Sequence, residues 1–106
     1  MKKFQGETLS WELTDAVVEL ALHKRPLNEI GSATLADLET FAAALNSFGS
    51  EARVLILYSA LKEGFCAGAD LRELYVRGQE LNPAERVHGV RDFLERIHRV
   101  LNTIDA

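Results

Sequence analysis

A short apolar run followed by a loop of small residues is the feature that most constrains the fold of this chain of 106 residues. The run 54–58 reads Val-Leu-Ile-Leu-Tyr, which is typical of a buried β-strand. The segment 64–70 that follows reads Gly-Phe-Cys-Ala-Gly-Ala-Asp, and Asp70 and Glu73 have the spacing of a capping box. Strand, tight loop and helix in this order predict an α/β domain whose loop amides can be aimed at an anion.

The remaining sequence predicts strands and helices around this unit. Six segments have strand or helix patterns: strands over 8–14, 16–22 and 53–59, and helices over 32–48, 70–77 and from 83 to about the end. Ser32 is a suitable N-cap for the first helix, and Gly49 is a natural stop. The strand 53–59 is expected to be central because it is the most continuously apolar. The result is one domain, 1–106, of the α/β class with a β-β-α-β-α-α order.

Two of these helices carry apolar stripes. The first helix is expected to bury one face: Leu35, Leu38, Phe41, Ala42, Leu45 and Phe48. The last helix has a stripe with alternating spacings of three and four, which predicts a buried seam: Val87, Val90, Leu94, Ile97, Leu101 and Ile104. So long a seam in so short a chain suggests that something else packs against it.

Composition excludes several classes of function. The net charge of −4 argues against a general nucleic-acid binder, and the apolar runs are too short to cross a membrane. The N-terminus has no apolar signal-peptide region, and the single cysteine fits a reducing compartment. No pair of cysteines or histidines has the spacing of metal ligands, so no metal site is expected. We expect a cytoplasmic protein with neither nucleic acid nor membrane as its partner.

Two loops are candidates for binding. In the first, Gly68 allows a sharp turn, while Ala67 and Ala69 keep side chains clear of a ligand that approaches the backbone amides. In the second, Lys24 and Arg25 lie on a proline-stiffened segment and can meet phosphates. The alternatives are an ordinary tight turn and an ordinary solvated loop, respectively.

Asp70 and Cys66 permit further interpretations. Asp70 could be a catalytic carboxylate, but a helix N-cap is the better interpretation. Cys66 could be a nucleophile with His23, His88 or His98 as its base, but a lone cysteine beside a phenylalanine is usually a small buried hydrophobe.

The segment 65–71, Phe-Cys-Ala-Gly-Ala-Asp-Leu, resembles the CoA loop of the enoyl-CoA hydratase/isomerase (crotonase) superfamily. Arg25-Pro26 followed by Asn28 after the second strand also resembles that family. The resemblance implies the N-terminal portion of a ClpP/crotonase spiral fold, in which the Ala69 N–H is one of two donors to a thioester oxyanion. It also implies a set of contacts to CoA: Lys24, Arg25, Leu27, Ala67, Gly68, Ala69, Asp70, Leu71 and Arg72.

The resemblance implies an acyl-CoA substrate, no permanently bound cofactor, and a homo-oligomer, a trimer or hexamer at full length. Crotonase-type enzymes are more than twice this long, and their second half supplies the other oxyanion donor and the proton-transferring acids. We therefore expect an N-terminal CoA-binding part, truncated before those groups and inactive alone, of a lyase or isomerase of fatty acid metabolism. The alternatives are a non-catalytic acyl-CoA-binding or assembly module that acts with a partner chain, and a small α/β protein whose loop is only a turn.

Overall fold

A four-stranded sheet with three helices makes up residues 2–105, which the computed structural model describes. The strands and helices are β1 (Lys2–Gln5), β2 (Leu9–Thr14), β3 (Val17–Leu22), α1 (Ser32–Phe48), β4 (Val54–Ser59), α2 (Leu71–Gly78) and α3 (Pro83–Asp105), with one 3-10 turn at Gly49–Glu51. The sheet order is β1-β2-β3-β4. The first three strands are antiparallel neighbours, and β4 pairs parallel to β3 after the α1 crossover.

Strand β1 corrects the predicted order, because a third strand precedes α1 and the order is β-β-β-α-β-α-α. The segment Lys-Lys-Phe-Gln has a single apolar residue and therefore no alternation to detect. What makes it a strand is its partner: Phe4 lies opposite Trp11 of β2, and the two rings stack with centroids 6.4 Å apart.

The position of β4 also differs from the prediction. It was expected to be central, but within residues 2–105 it forms an edge of the sheet. Leu55 and Leu57 face the core, whereas Val54, Ile56 and Tyr58 are 51%, 45% and 43% exposed on the other face. The continuous apolar run is therefore a strand with one packed and one uncovered face.

The core lies between the sheet and α1. Phe41 and Leu35 of α1 are fully buried against Leu9, Val18 and Leu20 of the sheet. The predicted apolar face of α1 is confirmed, with Leu45 only partly buried. Gly49 ends the helix with a φ of +55°, as predicted.

Ser32 and Glu73 correct two predicted caps. Ser32 is the first helical residue of α1 and not its N-cap, because Gly31 occupies that position and has no side chain to offer. The Glu73 carboxylate reaches across from α2, accepting a hydrogen bond from the Ser32 amide (N to Oε2, 3.0 Å) and one from its hydroxyl. Asp70 does cap α2, since its Oδ1 accepts from the Glu73 amide at 3.0 Å. The reciprocal half of that capping box is absent because Glu73 caps another helix.

The buried stripe of α3 matches the predicted seam only in part, at Ile97 and, half-buried, at Ile104. Its buried side chains are Phe93, Ile97 and Val100, while four of the predicted seam residues are exposed: Val87, Val90, Leu94 and Leu101. The helix has apolar residues over a wide arc, so the contact with α1 decides which part is covered. A bidentate ion pair between Arg96 and Glu39 of α1 fixes this rotation (Nη2 to Oε1, 2.7 Å; Nε to Oε2, 3.2 Å). None of the helices described is long and apolar enough to cross a membrane.

Candidate functional site

The loop 60–69 joins β4 to α2 and runs beside the segment 24–30. Three backbone hydrogen bonds join these segments: the Ala67 amide donates to the Leu27 carbonyl (3.0 Å), the Ile30 amide to the Gly68 carbonyl (2.8 Å), and the Asp70 amide to the Ile30 carbonyl (2.9 Å). Ile30 and Ala69 form an isolated parallel bridge. The two loops that the sequence marked as candidates are therefore one structural unit.

The Ala69 amide is an unused donor of this unit, set between two residues that are hydrogen-bonded to Ile30. The Gly68 carbonyl and the Asp70 amide on either side are both directed at Ile30, so the extended backbone turns the Ala69 N–H away from that segment. Within residues 2–105 this N–H has no acceptor. Gly68 precedes it with a φ of +92°, a conformation that glycine adopts without strain. The result is a fixed backbone donor with no intramolecular partner.

Asn28 is the residue whose importance the sequence analysis missed. Its side chain is 2% exposed and makes three hydrogen bonds: the Lys24 amide donates to Oδ1 at 2.7 Å, and Nδ2 donates to Ser59 Oγ and the Phe65 carbonyl, each at 2.8 Å. The residue has a φ of +55°, which asparagine tolerates better than most side chains. In the sequence, the only indication of its importance is its position after Arg25-Pro26, and that position does not predict what its side chain binds.

The candidate phosphate contacts lie at the rim of this unit. Lys24 is exposed, and the Arg25 side chain is 77% exposed, with its Nη1 3.7 Å from Glu63 Oε1. Leu27 is 42% exposed and adjoins Ala67 through its carbonyl. Arg72 lies apart from them in the first turn of α2, with its side chain exposed.

Cys66 and Asp70 have structural roles in this loop. The Cys66 thiol donates to the Asn28 carbonyl (Sγ to O, 3.2 Å) and its sulfur accepts from the Gly68 amide (3.4 Å). In the described part of the chain no histidine contacts Cys66: His23 Nε2 is 2.8 Å from Ser10 Oγ, and His88 and His98 are exposed on α3. The geometry therefore favours the structural interpretation of the cysteine, as it does of the Asp70 cap.

A cleft with a volume of about 930 Å³ lies between α2 and α3. Leu71, the first residue of α2, is one of its walls. Its lining combines apolar side chains, Leu74, Tyr75, Val90 and Phe93 among them, with charged and polar ones: Arg77, Gln79, Arg86, Asp92 and Arg96. A cleft of mixed character thus begins two residues after Ala69. The shifted pKa values lie elsewhere: Arg96, hydrogen-bonded to Glu39, lowers the pKa of that carboxyl, while the pKa of Arg96 is raised in return.

Several solved structures are similar to this chain. An enoyl-CoA hydratase from Bacillus anthracis matches 92% of the chain with 28% identity and a TM-score of 0.71, and Pseudomonas aeruginosa AtuE matches 92% with 26% identity and a TM-score of 0.72. An enoyl-CoA hydratase from Geobacillus kaustophilus HTA426, 22% identical over 94% of the chain with a TM-score of 0.70, shares the fold. The chain spans about a third of the length of these structures, 34–35%. No family model matches the sequence, and no curated protein matches it.

Proposed function

Because the chain belongs to the enoyl-CoA hydratase/isomerase (crotonase) superfamily, we propose that it binds an acyl-CoA and polarises the thioester carbonyl, as part of a hydratase- or isomerase-type enzyme. The observation that carries this proposal is the Ala69 N–H, which has no acceptor within residues 2–105 although its neighbours on both sides are hydrogen-bonded. Such a donor can bind the carbonyl oxygen and stabilise the negative charge that develops there.

The Ala69 N–H can stabilise negative charge effectively because the loop holds it in a fixed position. A backbone amide that is already fixed by the pairing of Gly68 and Asp70 with Ile30 needs no reorganisation when charge develops on the substrate. Removing one donor of this kind costs enzymes roughly 10²–10³ in rate. In this proposal Ala67, Gly68, Asp70 and Leu71 shape the loop around the thioester.

Residues on both sides of Ala69 can bind the rest of an acyl-CoA. Lys24 and Arg25 can bind the CoA phosphates, with Leu27 beside them and Arg72 as a further contact. The cleft between α2 and α3 begins at Leu71, and its apolar side chains, Leu74, Tyr75, Val90 and Phe93, can contact a hydrocarbon chain. The ligand would therefore extend from the exposed cations, across Ala69, into the cleft.

Turnover needs groups beyond the single donor. By the resemblance, a second amide donor and the proton-transferring acids belong to a glycine-rich loop and acidic residues that these 106 residues do not include. The proposed chemistry of this chain is thus binding and carbonyl polarisation, with no hydration or isomerisation by the chain alone and no permanently bound cofactor. At full length we propose a cytoplasmic homo-oligomer, a trimer or hexamer, that is a lyase or isomerase of fatty acid metabolism.

A second candidate is a non-catalytic acyl-CoA-binding or assembly module that acts with a partner chain. Exposed apolar residues favour it: Val54, Ile56 and Tyr58 on β4, and Leu94 and Leu101 on α3, are each at least 39% exposed. Both candidates include acyl-CoA binding, and they differ in whether the assembled protein turns its substrate over.

A semisynthetic protein tests the Ala69 donor directly. Ligation at Cys66 allows Ala69 to be replaced by L-lactic acid, which removes the N–H and keeps the methyl group. We expect a small loss of stability, because the ester also makes the Gly68 carbonyl a weaker acceptor for the Ile30 amide. We also expect weaker binding of crotonyl-CoA by titration calorimetry and unchanged binding of free CoA, which has no carbonyl at that position. The same exchange at Ala67 is the control, because its N–H donates to Leu27 and its loss should lower stability. Equal binding of crotonyl-CoA with and without the Ala69 N–H would contradict the proposal.

A further inference from the structure

We infer that Asn28 is the positioning residue of this site, the side chain that fixes the Ala69 donor relative to the cations at Lys24 and Arg25. The inference rests on the proposed function. A ligand that spans both loops is polarised only if its anchored end and its carbonyl meet donors at a fixed separation. Asn28 belongs to the segment 24–30, and its side chain is hydrogen-bonded both to Lys24 of that segment and to Phe65 of the loop 60–69.

The hydrogen bonds of Asn28 join three parts of the chain through one planar group. Oδ1 holds the Lys24 amide, and Nδ2 holds both Ser59, the last residue of β4, and Phe65 in the loop. Both acceptors are about as close as such bonds come. The amide is therefore a rigid brace between the cationic segment, the end of the sheet and the donor loop.

The backbone of Asn28 adds a second connection. Its carbonyl accepts from the Cys66 thiol, whose sulfur accepts from the Gly68 amide, one residue before the donor. Gly68 in turn offers its carbonyl to Ile30. Phe65 and Cys66 are thus hydrogen-bonded to Asn28, and Gly68 is hydrogen-bonded to Ile30. The side chain of Asn28 makes the first of these bonds along the loop.

The chemistry of the position is specific to asparagine. Aspartate would keep an acceptor for Lys24 but would set a carboxylate oxygen against the Phe65 carbonyl. Glycine would keep the φ of +55° without strain but would remove all three side-chain bonds. These two substitutions separate the role of the amide from that of the backbone conformation.

The test is a titration of the assigned amide resonances of the full chain with crotonyl-CoA and with free CoA. In the unsubstituted protein we expect both ligands to shift the Lys24 and Arg25 amides, and crotonyl-CoA alone to shift Ala69 strongly downfield. In Asn28→Gly and Asn28→Asp we expect the Ala69 shift to be lost while Arg25 still responds. Ser59→Ala, which removes one of the three bonds, is a milder variant that should fold if the others do not, and it should reduce the Ala69 shift.

Glu39→Gln is the control for stability, because it weakens the contact between α1 and α3 and touches neither loop. It should lower stability and leave the Ala69 shift intact. If Ala69 still shifts fully in the folded Asn28 variants, the positioning role is wrong and the proposed function stands. If crotonyl-CoA moves Arg25 but not Ala69 in the unsubstituted protein, the Ala69 donor itself is wrong, and the inference about Asn28 fails with it.

Discussion

Gly31 lies against the Glu73 carboxylate. Substitution of either residue should lower the free energy of unfolding, and the effect of one substitution should depend on whether the other is present. A Cβ atom at position 31 would overlap Glu73 Oε2, so Gly31→Ala must displace the carboxylate that caps α1 at Ser32. Gly31 itself has a φ of −100°, which alanine adopts freely, so no backbone strain is expected. The single effect in the folded state is the loss of the cap.

The magnitude follows from the two parts of that cap. Losing a helix N-cap costs about 1 kcal/mol, and losing a carboxylate near the positive end of a helix costs about 0.3–1 kcal/mol more. Glu73→Ala should therefore lower the free energy of unfolding by about 1–2 kcal/mol. In Gly31→Ala the same loss is partly offset, by about 0.4–1 kcal/mol, because alanine restricts the unfolded chain. The expected net loss is about 1 kcal/mol.

A double-mutant cycle tests this reasoning. With Glu73 already replaced by alanine, nothing remains for the new methyl group at position 31 to displace, and Gly31→Ala should become neutral or stabilising. Urea unfolding followed by circular dichroism measures all four proteins, and a difference of 1 kcal/mol corresponds to about 4–8 °C in Tm. Equal destabilisation by Gly31→Ala in both backgrounds would refute the proposed contact.

Three further outcomes are expected. Because Arg96 lowers the pKa of Glu39, the stabilisation from their pair is complete above the ordinary value of 4.5 and is lost as the pH falls through the lowered one. The stability difference between the protein and Glu39→Gln, about 0.5–1 kcal/mol near pH 7, should vanish in acid, and a constant difference would contradict this. Ile97→Ala should cost about 2–5 kcal/mol and Leu94→Ala less than about 1 kcal/mol in urea unfolding, since only Ile97 is buried; similar costs would mean that α3 is rotated. Arg25→Ala should leave Tm unchanged and weaken binding of free CoA by about tenfold at low salt, and a salt-independent affinity would argue against a phosphate contact.

The local signals in the sequence account for most elements of the fold. The hairpin, the apolar face of α1 from Leu35 to Phe48, the stop at Gly49 and the Asp70 cap all appear in the structure as predicted. Each of these features depends on a hydrophobic periodicity or a capping residue within one short segment of the sequence. The strand-loop-helix unit around Gly68 is of the same kind, because its strand, its small residues and its helix cap are contiguous in sequence.

Other features depend on partners distant in sequence. Strand β1 is stabilised by the packing of Phe4 against Trp11 of β2. Glu73 caps α1 because folding places it beside Ser32, which is 41 residues away in sequence. The seam of α3 could not be assigned from its spacing, since several arcs of that helix are apolar and only contact with α1 selects one.

The sequence by itself determined the α/β class, the donor loop and the resemblance that led to an acyl-CoA, because these features are encoded in contiguous residues. Only the tertiary structure decided that the segments 24–30 and 60–69 form one structural unit and that Asn28 joins them. The sequence does not distinguish a buried asparagine from an exposed one. The role of Asn28 follows from the hydrogen bonds that distant parts of the chain supply. The amide at Ala69 is similar: its place in the loop is local, but the absence of an acceptor for it within residues 2–105 is a property of the folded chain.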